Sequence, residues 1–339
     1  MNYDVIIVGA GPGGIFSAYE LTRLHPELKV AVFEAGHPLK NRKCPIDGVR
    51  VKSCIACKSC SIMSGFGGAG AFSDGKYNIT NDFGGTLYEY LGKAKALELM
   101  RYVDQINMAY GGEGTKLYST AGTKFKKLCM QNDLHLLDAS VRHLGTDINY
   151  VVLENLYAYL KEKVTFYFDT PVESVAAVDG GYQVTCKAGS FSCSQCVISV
   201  GRSGSKWMES VCRDMDIPTK SNRVDIGVRV ELPAEIFSHL TDELYESKIV
   251  YRTEKYGDLV RTFCMNPKGA VSTKTPTASS PSTATVTKTP PARPPTPILP
   301  CWWQSTFPNP SRIPTATASP LPASATCWAA ASSSSASAT

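Results

Sequence analysis

The pattern of apolar and polar positions predicts a strand, a helix and a second strand at the start of the chain. Tyr3–Val8 is a short, mostly apolar run that ends at a glycine, as a buried parallel strand does. Along residues 13–24, apolar side chains recur at the spacing of one helix face. Lys29–Phe33, with the sequence KVAVF, is a second apolar run of strand length. Together these segments predict a βαβ unit, the building block of a parallel sheet.

Farther along the chain, the pattern predicts two helices and then a group of short strands. Thr86–Tyr110 and Asn149–Glu162 carry apolar residues at helical spacing. Residues 164–200 alternate apolar and polar positions in short runs around the turn DGG at 179–181, which indicates a small antiparallel sheet and then a return to the parallel one. Two more strand candidates follow, Val224–Val230 and Ile249–Tyr251.

The turn between the first strand and the first helix, GAGPGG, has the spacing of a dinucleotide-binding turn. Gly9, Gly11 and Gly14 occupy the glycine positions of G-x-G-x-x-G, where they allow a tight turn, close approach to a pyrophosphate and close packing of helix on strand. Gly13 lies at the start of the helix, whose amino-terminal end favours phosphate charge. Glu34 follows the second strand, about twenty residues after Gly14, where a carboxylate accepts hydrogen bonds from ribose hydroxyls. This register predicts a dinucleotide-binding site.

The start of the chain, DVIIVGAGPGG, resembles the FAD-binding start of flavoproteins with two dinucleotide-binding domains. Residues 61–78, SIMSGFGGAGAFSDGKYN, are similar to the Gly-rich segment that lies along FAD in those proteins. Residues 166–175, FYFDTPVESV, resemble the strand whose backbone meets the adenine, and residues 196–204, CVISVGRSG, resemble the return to the FAD domain. Over nearly all of residues 1–270, the chain is similar to the bacterial family of uncharacterised FAD-dependent dehydrogenases.

The resemblance implies an FAD-dependent oxidoreductase, in which FAD takes an electron pair from a small-molecule substrate and passes it to a second acceptor. NAD(P)H is a candidate electron donor. Ser73 is one of the candidate cofactor contacts, and the alternative is that its hydroxyl only caps its own loop. Two other functions stay open: an NAD(P)-binding dehydrogenase without flavin, and a non-catalytic or redox-sensing remnant that binds flavin. The cofactor contacts that the resemblance implies outside the glycine turn are Gly67, Gly68, Ser73, Val172 and Gly201.

A cluster of cysteines is the second candidate site. Cys54, Cys57 and Cys60 form C-x2-C-x2-C, and Cys44 precedes them. Four thiolates so close in sequence are a candidate ligand set for zinc or an iron–sulfur cluster. A cysteine pair beside a flavin is also able to shuttle electrons as a dithiol. The third interpretation is a set of unligated thiols.

Composition and charge narrow the classes of partner. Of the 339 residues, 43% are hydrophobic and 19% are charged, as in soluble globular proteins. No apolar run reaches the length of about 18 residues that spans a membrane, and the first residues show no signal peptide, so we expect a cytoplasmic protein. Residues 1–270 carry 31 basic and 30 acidic groups, a balance that argues against nucleic acid as a partner.

The last part of the chain, residues 271–339, has a composition of its own. Ala, Ser, Thr and Pro make up 51 of its 69 residues, as in a disordered linker. A GC-rich gene read one base out of frame gives the same composition. Many of its third codon positions are C, and out of frame they become second positions. Codons with C in the second position encode Ala, Pro, Thr and Ser. In that frame the codons of 302–310 permit LVAVNFSEP and those of 329–339 permit GGGVLVQRFGD, which resembles the flavoprotein family. We predict a frame shift after about residue 271 and exclude the tail from the predicted fold.

The predicted fold class is α/β, with a Rossmann-like FAD-binding parallel sheet split by an insertion and a smaller, mixed α+β second domain. No part of the chain matches the late Gly-rich strand-to-helix segment with which such flavoproteins complete the FAD site, so we expect a truncated form of the family. The predicted domains are an FAD-binding domain (1–41 and 141–205), an inserted Gly/Cys-rich and helical segment (42–140), the start of a substrate domain (206–270) and the low-complexity tail (271–339).

Overall fold

The computed structural model divides the chain into two compact units, each with a sheet of its own. The described residues are 2–47, 49–220, 224–265, 267, 269–272, 285–288, 298–307 and 328–329. The helices are α1 (Pro12–Leu24), α2 (Leu87–Leu91), α3 (Lys93–Asn107), α4 (Phe125–Met130), α5 (Gly145–Leu160), α6 (Ser205–Asp214) and α7 (Ala234–Leu244). The strands are β1 (Asn2–Val8), β2 (Val30–Phe33), β3 (Lys76–Ile79), β4 (Leu117–Ser119), β5 (His135–Leu136), β6 (Ser140–His143), β7 (Thr165–Tyr167), β8 (Val172–Val178), β9 (Gly181–Cys186), β10 (Gly189–Ile198), β11 (Val224–Pro233), β12 (Ile249–Arg252), β13 (Leu259–Thr262), β14 (Gly269–Ser272), β15 (Thr285–Lys288), β16 (Ile298–Phe307) and β17 (Trp328–Ala329).

The first unit is built on a six-stranded sheet in the order β7-β2-β1-β10-β9-β8. β7, β2, β1 and β10 run parallel to one another, so the predicted α/β class with a Rossmann-like parallel sheet is confirmed. Ile6 and Ile7 point to opposite faces of β1, and neither is exposed to solvent. A parallel strand that is covered on both faces has to be apolar throughout, which is the reason why the runs in β1 and β2 were readable from sequence.

The predicted antiparallel strands extend this same sheet. β8 and β9 form a hairpin around the DGG turn, and β9 pairs antiparallel with β10. β10 joins the antiparallel part of the sheet to the parallel part. Its first residues, Gly189–Cys193, pair antiparallel with β9, whereas Ser192–Ile198 pair parallel with β1. The predicted return to the parallel sheet is therefore confirmed, within one continuous strand.

The long helix predicted over Thr86–Tyr110 is wrong as a single element. α2 ends at Gly92, whose φ of +78° lies in the left-handed region that glycine adopts easily. α3 then begins at Lys93, and a π-helical turn with glycine at +121° follows it over Met108–Gly112. The second predicted helix is confirmed as α5, which buries Val152 and neighbouring apolar side chains.

The second unit contains a six-stranded sheet in the order β17-β11-β16-β13-β12-β5. The strand candidates Val224–Val230 and Ile249–Tyr251 are confirmed as β11 and β12. The apolar core of this unit joins α4, α7 and strand β5, with Phe125, Leu136 and Leu244 among its buried side chains. None of the helices among the described residues is long and apolar enough to cross a bilayer.

The boundaries of the two units differ from the predicted domains. The first unit comprises residues 1–76, 102–116 and 143–219, and the second comprises 77–101, 117–142 and 220–339. The segment predicted as one insertion is thus shared between both units. α6, which was expected to begin the substrate domain, belongs to the first unit.

Part of the tail takes a regular place in the second sheet. The backbone of β16 pairs antiparallel with β11 from Ile298 opposite Pro233 to Phe307 opposite Val224, and its other neighbour is β13. The predicted fold left this stretch out, whereas the structure gives its backbone a place in the sheet. Its sequence, ILPCWWQSTF, interrupts the Ala/Ser/Thr/Pro composition with residues that favour strands.

Candidate dinucleotide-binding site

The glycine turn lies at the carboxyl edge of the parallel sheet, where ligands of open α/β sheets bind. The Gly9 amide donates to the Phe33 carbonyl at 2.7 Å, and the Ser199 amide donates to the Val8 carbonyl at 2.8 Å. The turn is thus held between β2 on one side and the end of β10 on the other. α1 begins directly after it, with Pro12 at its first position, where the fixed φ of proline suits a helix start.

Two of the four predicted glycines have no room for a side chain, and a third has room only if a neighbouring hydroxyl rotates. Gly9 has a φ of +101°, and a Cβ on it would collide with the carbonyl of Ser199. A Cβ on Gly13 would collide with the Ser199 hydroxyl, and one on Gly14 would collide with the carbonyl of Gly9. These glycines allow the turn, α1 and the end of β10 to pack closely. Ser199, which sequence reasoning did not single out, is the common neighbour of two of them.

Gly11 differs from the other three because an added Cβ would meet no clash. A Cβ built on it meets only one atom within reach, the Gly68 Cα at 4.0 Å. The Gly67 amide donates to the Ala10 carbonyl at 2.8 Å, which holds the second Gly-rich segment beside the turn. Two backbones without side chains therefore border the same space, as close approach to a pyrophosphate requires. The structure thus brings Gly67 and Gly68 together with Gly11, while their contact with a cofactor stays a prediction.

The Glu34 carboxylate is buried and joins three segments of backbone. Its Oε2 accepts from the Ala10 amide at 2.7 Å, and its Oε1 accepts from the amides of Gly36 and Gly65, each at 2.9 Å. The side chain is 7% exposed. A carboxylate has about four acceptor positions, and these three amides occupy three of them. Glu34 thus fixes the shape of the site, a function that its place in the motif did not reveal.

Arg42 is a further buried ion of the site, and sequence reasoning missed it. Its guanidinium donates to the carbonyls of Ser61 (2.9 Å), Phe66 (2.6 Å) and Ile62 (3.0 Å). It also lies 4.9 Å from the centre of the Phe72 ring. The residue is 3% exposed. All of these contacts fall on the Gly-rich segment that lies beside Gly11.

Burial lowers the pKa of Arg42 to about 10, and the nearby Glu34 carboxylate acts against this change. The guanidinium is therefore charged at neutral pH. No sequence signal marks it, because Lys40 and Lys43 offer the same charge within a few residues and only the fold decides which cation is buried. Lys40 lies on the surface, with 76% of its side chain exposed.

Two other predicted contacts lie near the turn. Gly201 follows Ser199 after β10 and has a φ of +61°, with no atom within 4 Å of an added Cβ. Val172 begins β8, just beyond a stretch whose backbone bonds to that of Glu34. The Glu34 amide donates to the Tyr167 carbonyl at 2.8 Å, and the Thr170 amide donates to the Glu34 carbonyl at 2.9 Å. The adenine contact assigned to Val172 remains a prediction.

The Ser73 hydroxyl is engaged within its own loop. It donates to the Gly70 carbonyl at 2.9 Å and accepts from the Gly75 amide at 3.2 Å. The residue is exposed. These contacts are those of a loop cap, which was the alternative to a cofactor contact.

The cysteine cluster is not assembled into a metal site. Cys44, Cys54 and Cys57 are exposed and Cys60 is partly buried. Within the described part of the chain, no three His, Cys, Asp or Glu side chains come together as a metal would need. The predicted zinc or iron–sulfur site on Cys54, Cys57 and Cys60 is thus without geometric support. The physical reason is that no described residue of 43–60 lies in a helix or strand that would converge the thiols.

A glycine turn between β1 and α1, an acid after β2 and a second Gly-rich segment beside the turn define the first unit as a Rossmann-like α/β unit. No protein-family model matches the sequence, and the curated proteins gave no match to it.

Three solved structures are similar to this chain over most of its length. Glycine oxidase from Geobacillus kaustophilus has a TM-score of 0.41 and 15% identity, covering 84% of this chain and 72% of that chain. NikD, an amino acid oxidase essential for nikkomycin biosynthesis, has a TM-score of 0.42 and 12% identity, covering 92% and 73%. L-alpha-glycerophosphate oxidase from Mycoplasma pneumoniae, with FAD bound, has a TM-score of 0.36 and 16% identity, covering 68% and 60%. Similarity at this level carries no argument about function, which the site itself has to supply.

Proposed function

We propose that this protein is an FAD-dependent oxidoreductase of a small-molecule substrate. One observation carries the proposal: a second Gly-rich backbone, at Gly68, lies against Gly11 of the glycine turn, at the carboxyl edge of a parallel sheet. A Cβ on Gly11 would meet no clash, so the packing of the turn alone does not require glycine there. The resemblance of residues 61–78 to the segment that lies along FAD supports FAD over NAD(P) as the ligand.

The residues of the first unit fit the adenosine diphosphate part of FAD. The amides at the start of α1 offer donors to the pyrophosphate, because the first amides of a helix have no partner within it. The remaining acceptor position of Glu34 suits a ribose hydroxyl. Gly9, Gly13 and Gly14 keep the turn in shape, Gly67 packs closely against Leu153, and Gly68 and Gly201 leave backbone accessible beside the turn. When bound, FAD supplies the transfer of an electron pair between a substrate and a second acceptor.

The experiment that tests the proposal is a flavin titration of the full chain. We expect the purified protein, supplied with FAD, to show flavin bands near about 370 and 450 nm that bleach with dithionite. Gly11→Val should abolish FAD binding without unfolding the protein, because the Gly11 backbone (φ −75°, ψ −177°) suits any residue and its Cβ meets no close atom.

The matched control is Ala158→Val, which enlarges an exposed alanine on α5 in the same unit. It should bind FAD as the unchanged chain does. If Gly11→Val keeps its flavin content, the site is assigned wrongly. A colourless protein that binds NADH instead of FAD would replace the proposal by the NAD(P)-binding dehydrogenase.

We also infer that residues after about 271 are read out of frame in a flavoprotein gene. The support is compositional: the Ala/Ser/Thr/Pro excess and the absence of Asp and Glu beyond that residue. Sequencing the gene across the corresponding codons in a fresh isolate tests this. An unchanged frame would make the tail a genuine part of the protein.

A further inference from the structure

The segment between the cysteine cluster and Gly67 is held by charged side chains on both of its hydrogen-bonding sides. On the carbonyl side, Arg42 binds Ser61, Ile62 and Phe66. On the amide side, Gly65 donates to Glu34 at 2.9 Å. Residues 61–66, which lie outside any helix or strand, are thus held by the two buried charged side chains of Arg42 and Glu34.

These bonds determine where the next residues of the chain lie. The Phe66 amide donates to the His37 carbonyl at 3.1 Å, and the Gly67 amide donates to the Ala10 carbonyl at 2.8 Å. The sequence of contacts leads from Arg42 through Phe66 to the glycines beside Gly11. Displacing the carbonyls that Arg42 holds would therefore also displace Gly67 and Gly68 from the glycine turn.

The shape of the guanidinium matters as much as its charge. Ser61, Ile62 and Phe66 are not all adjacent in sequence, and their carbonyls converge because one planar fork offers several donors in fixed directions. A lysine ammonium carries the same charge at a single point and has no such fork. It could not bind the three carbonyls in the same arrangement.

We infer that Arg42 is the positioning residue that holds the second Gly-rich segment, at Gly67 and Gly68, against the glycine turn as a preformed border of the cofactor site. Its donors bind backbone carbonyls, so it acts on the cofactor only through the backbone that it holds. The inference rests on the proposed function for the identity of the cofactor, but the preformed border is a property of the cofactor-free chain.

The test compares Arg42→Lys with Arg50→Lys in the full chain. Arg50 is exposed and its own amide bonds to the Asp47 side chain, so its side chain is a neutral reference for the loss of a guanidinium. Hydrogen exchange of the cofactor-free proteins is measured at the amides of Gly65, Phe66 and Gly67. We expect faster exchange at these amides in Arg42→Lys, and no change in Arg50→Lys.

The second arm measures FAD affinity by flavin fluorescence. We expect Arg42→Lys to weaken binding about tenfold or more, as the loss of a residue that orients ligand-binding groups does, while Arg50→Lys binds normally. Unchanged exchange at the three amides would overturn the inference, and so would FAD affinity equal to that of the unchanged chain. Failure of the unchanged chain to bind FAD would instead overturn the proposed function, and the exchange arm would still decide the function of Arg42.

Discussion

The glycine turn after β1 and the cysteine segment 44–60 both have the spacing of a binding motif, but only the turn is assembled in the structure. The turn is a short connection between a buried strand and a helix, and hydrogen bonds from Gly9 and Ser199 hold it against the neighbouring strands. The cysteine segment has no described helix or strand on which its thiols could converge.

The difference shows what a motif needs in order to be reliable. In the turn, the functional groups are backbone amides, and their directions follow once the strand and the helix form. In the cysteine segment, the functional groups are side chains, whose positions depend on a loop that no local rule determines. Three predictions test this contrast, in order of expected effect.

The largest effect is expected from Gly14→Ala. The new Cβ would collide with the carbonyl of Gly9, which is itself fixed by the turn, so helix and strand would have to separate. We expect the free energy of unfolding to fall by about 3 kcal/mol or more. Denaturant unfolding of this variant beside Gly11→Ala measures the difference, since a Cβ on Gly11 meets no clash. Equal stability of the two variants would mean that the glycines do not have separate functions.

A smaller loss is expected from Glu34→Gln. Gln has one acceptor oxygen in place of two, so it leaves at least one of the amides of Ala10, Gly36 and Gly65 buried without an acceptor. We expect the free energy of unfolding to fall by about 2 kcal/mol.

The control for this variant is Glu27→Gln, which changes a carboxylate whose side chain is 67% exposed beside His25. It should alter the free energy of unfolding by less than about 0.5 kcal/mol. Thermal or denaturant unfolding at neutral pH measures both. If the two variants are equally stable, the three amides are not held by Glu34 in solution.

The smallest effect is expected in the cysteine segment. Replacing Cys54 and Cys57 together with serine should change the free energy of unfolding by less than about 0.5 kcal/mol, with no loss of bound metal.

In the native protein both thiols should react with iodoacetamide near pH 8. Cys196 should not, because burial, aided by neighbouring Cys193, raises its pKa to about 12 and keeps the thiol protonated until the pH approaches that value. Mass spectrometry of the alkylated peptides decides this, and zinc bound in stoichiometric amount would contradict it.

Much of the first unit could be predicted because its signals are local. Apolar runs identified β1 and β2, and the glycine spacing identified the turn between β1 and α1. The break at Gly92 was missed because the apolar spacing continues across it, although a glycine at that place is a helix-stop signal. The strand at 298–307 was missed because composition was averaged over the whole tail.

The amino-acid sequence was sufficient for the class of fold, the glycine turn and the acid that follows β2, since each depends on residues close together in the chain. Only the tertiary structure decided that a Cβ fits at Gly11 but not at Gly14, that Glu34 joins three backbone segments, and that Arg42 is buried while Lys40 and Lys43 are exposed. The physical reason is that burial and hydrogen bonding of a charged side chain depend on carbonyls and amides contributed by distant segments, and those partners are known only once the sheet has brought them together.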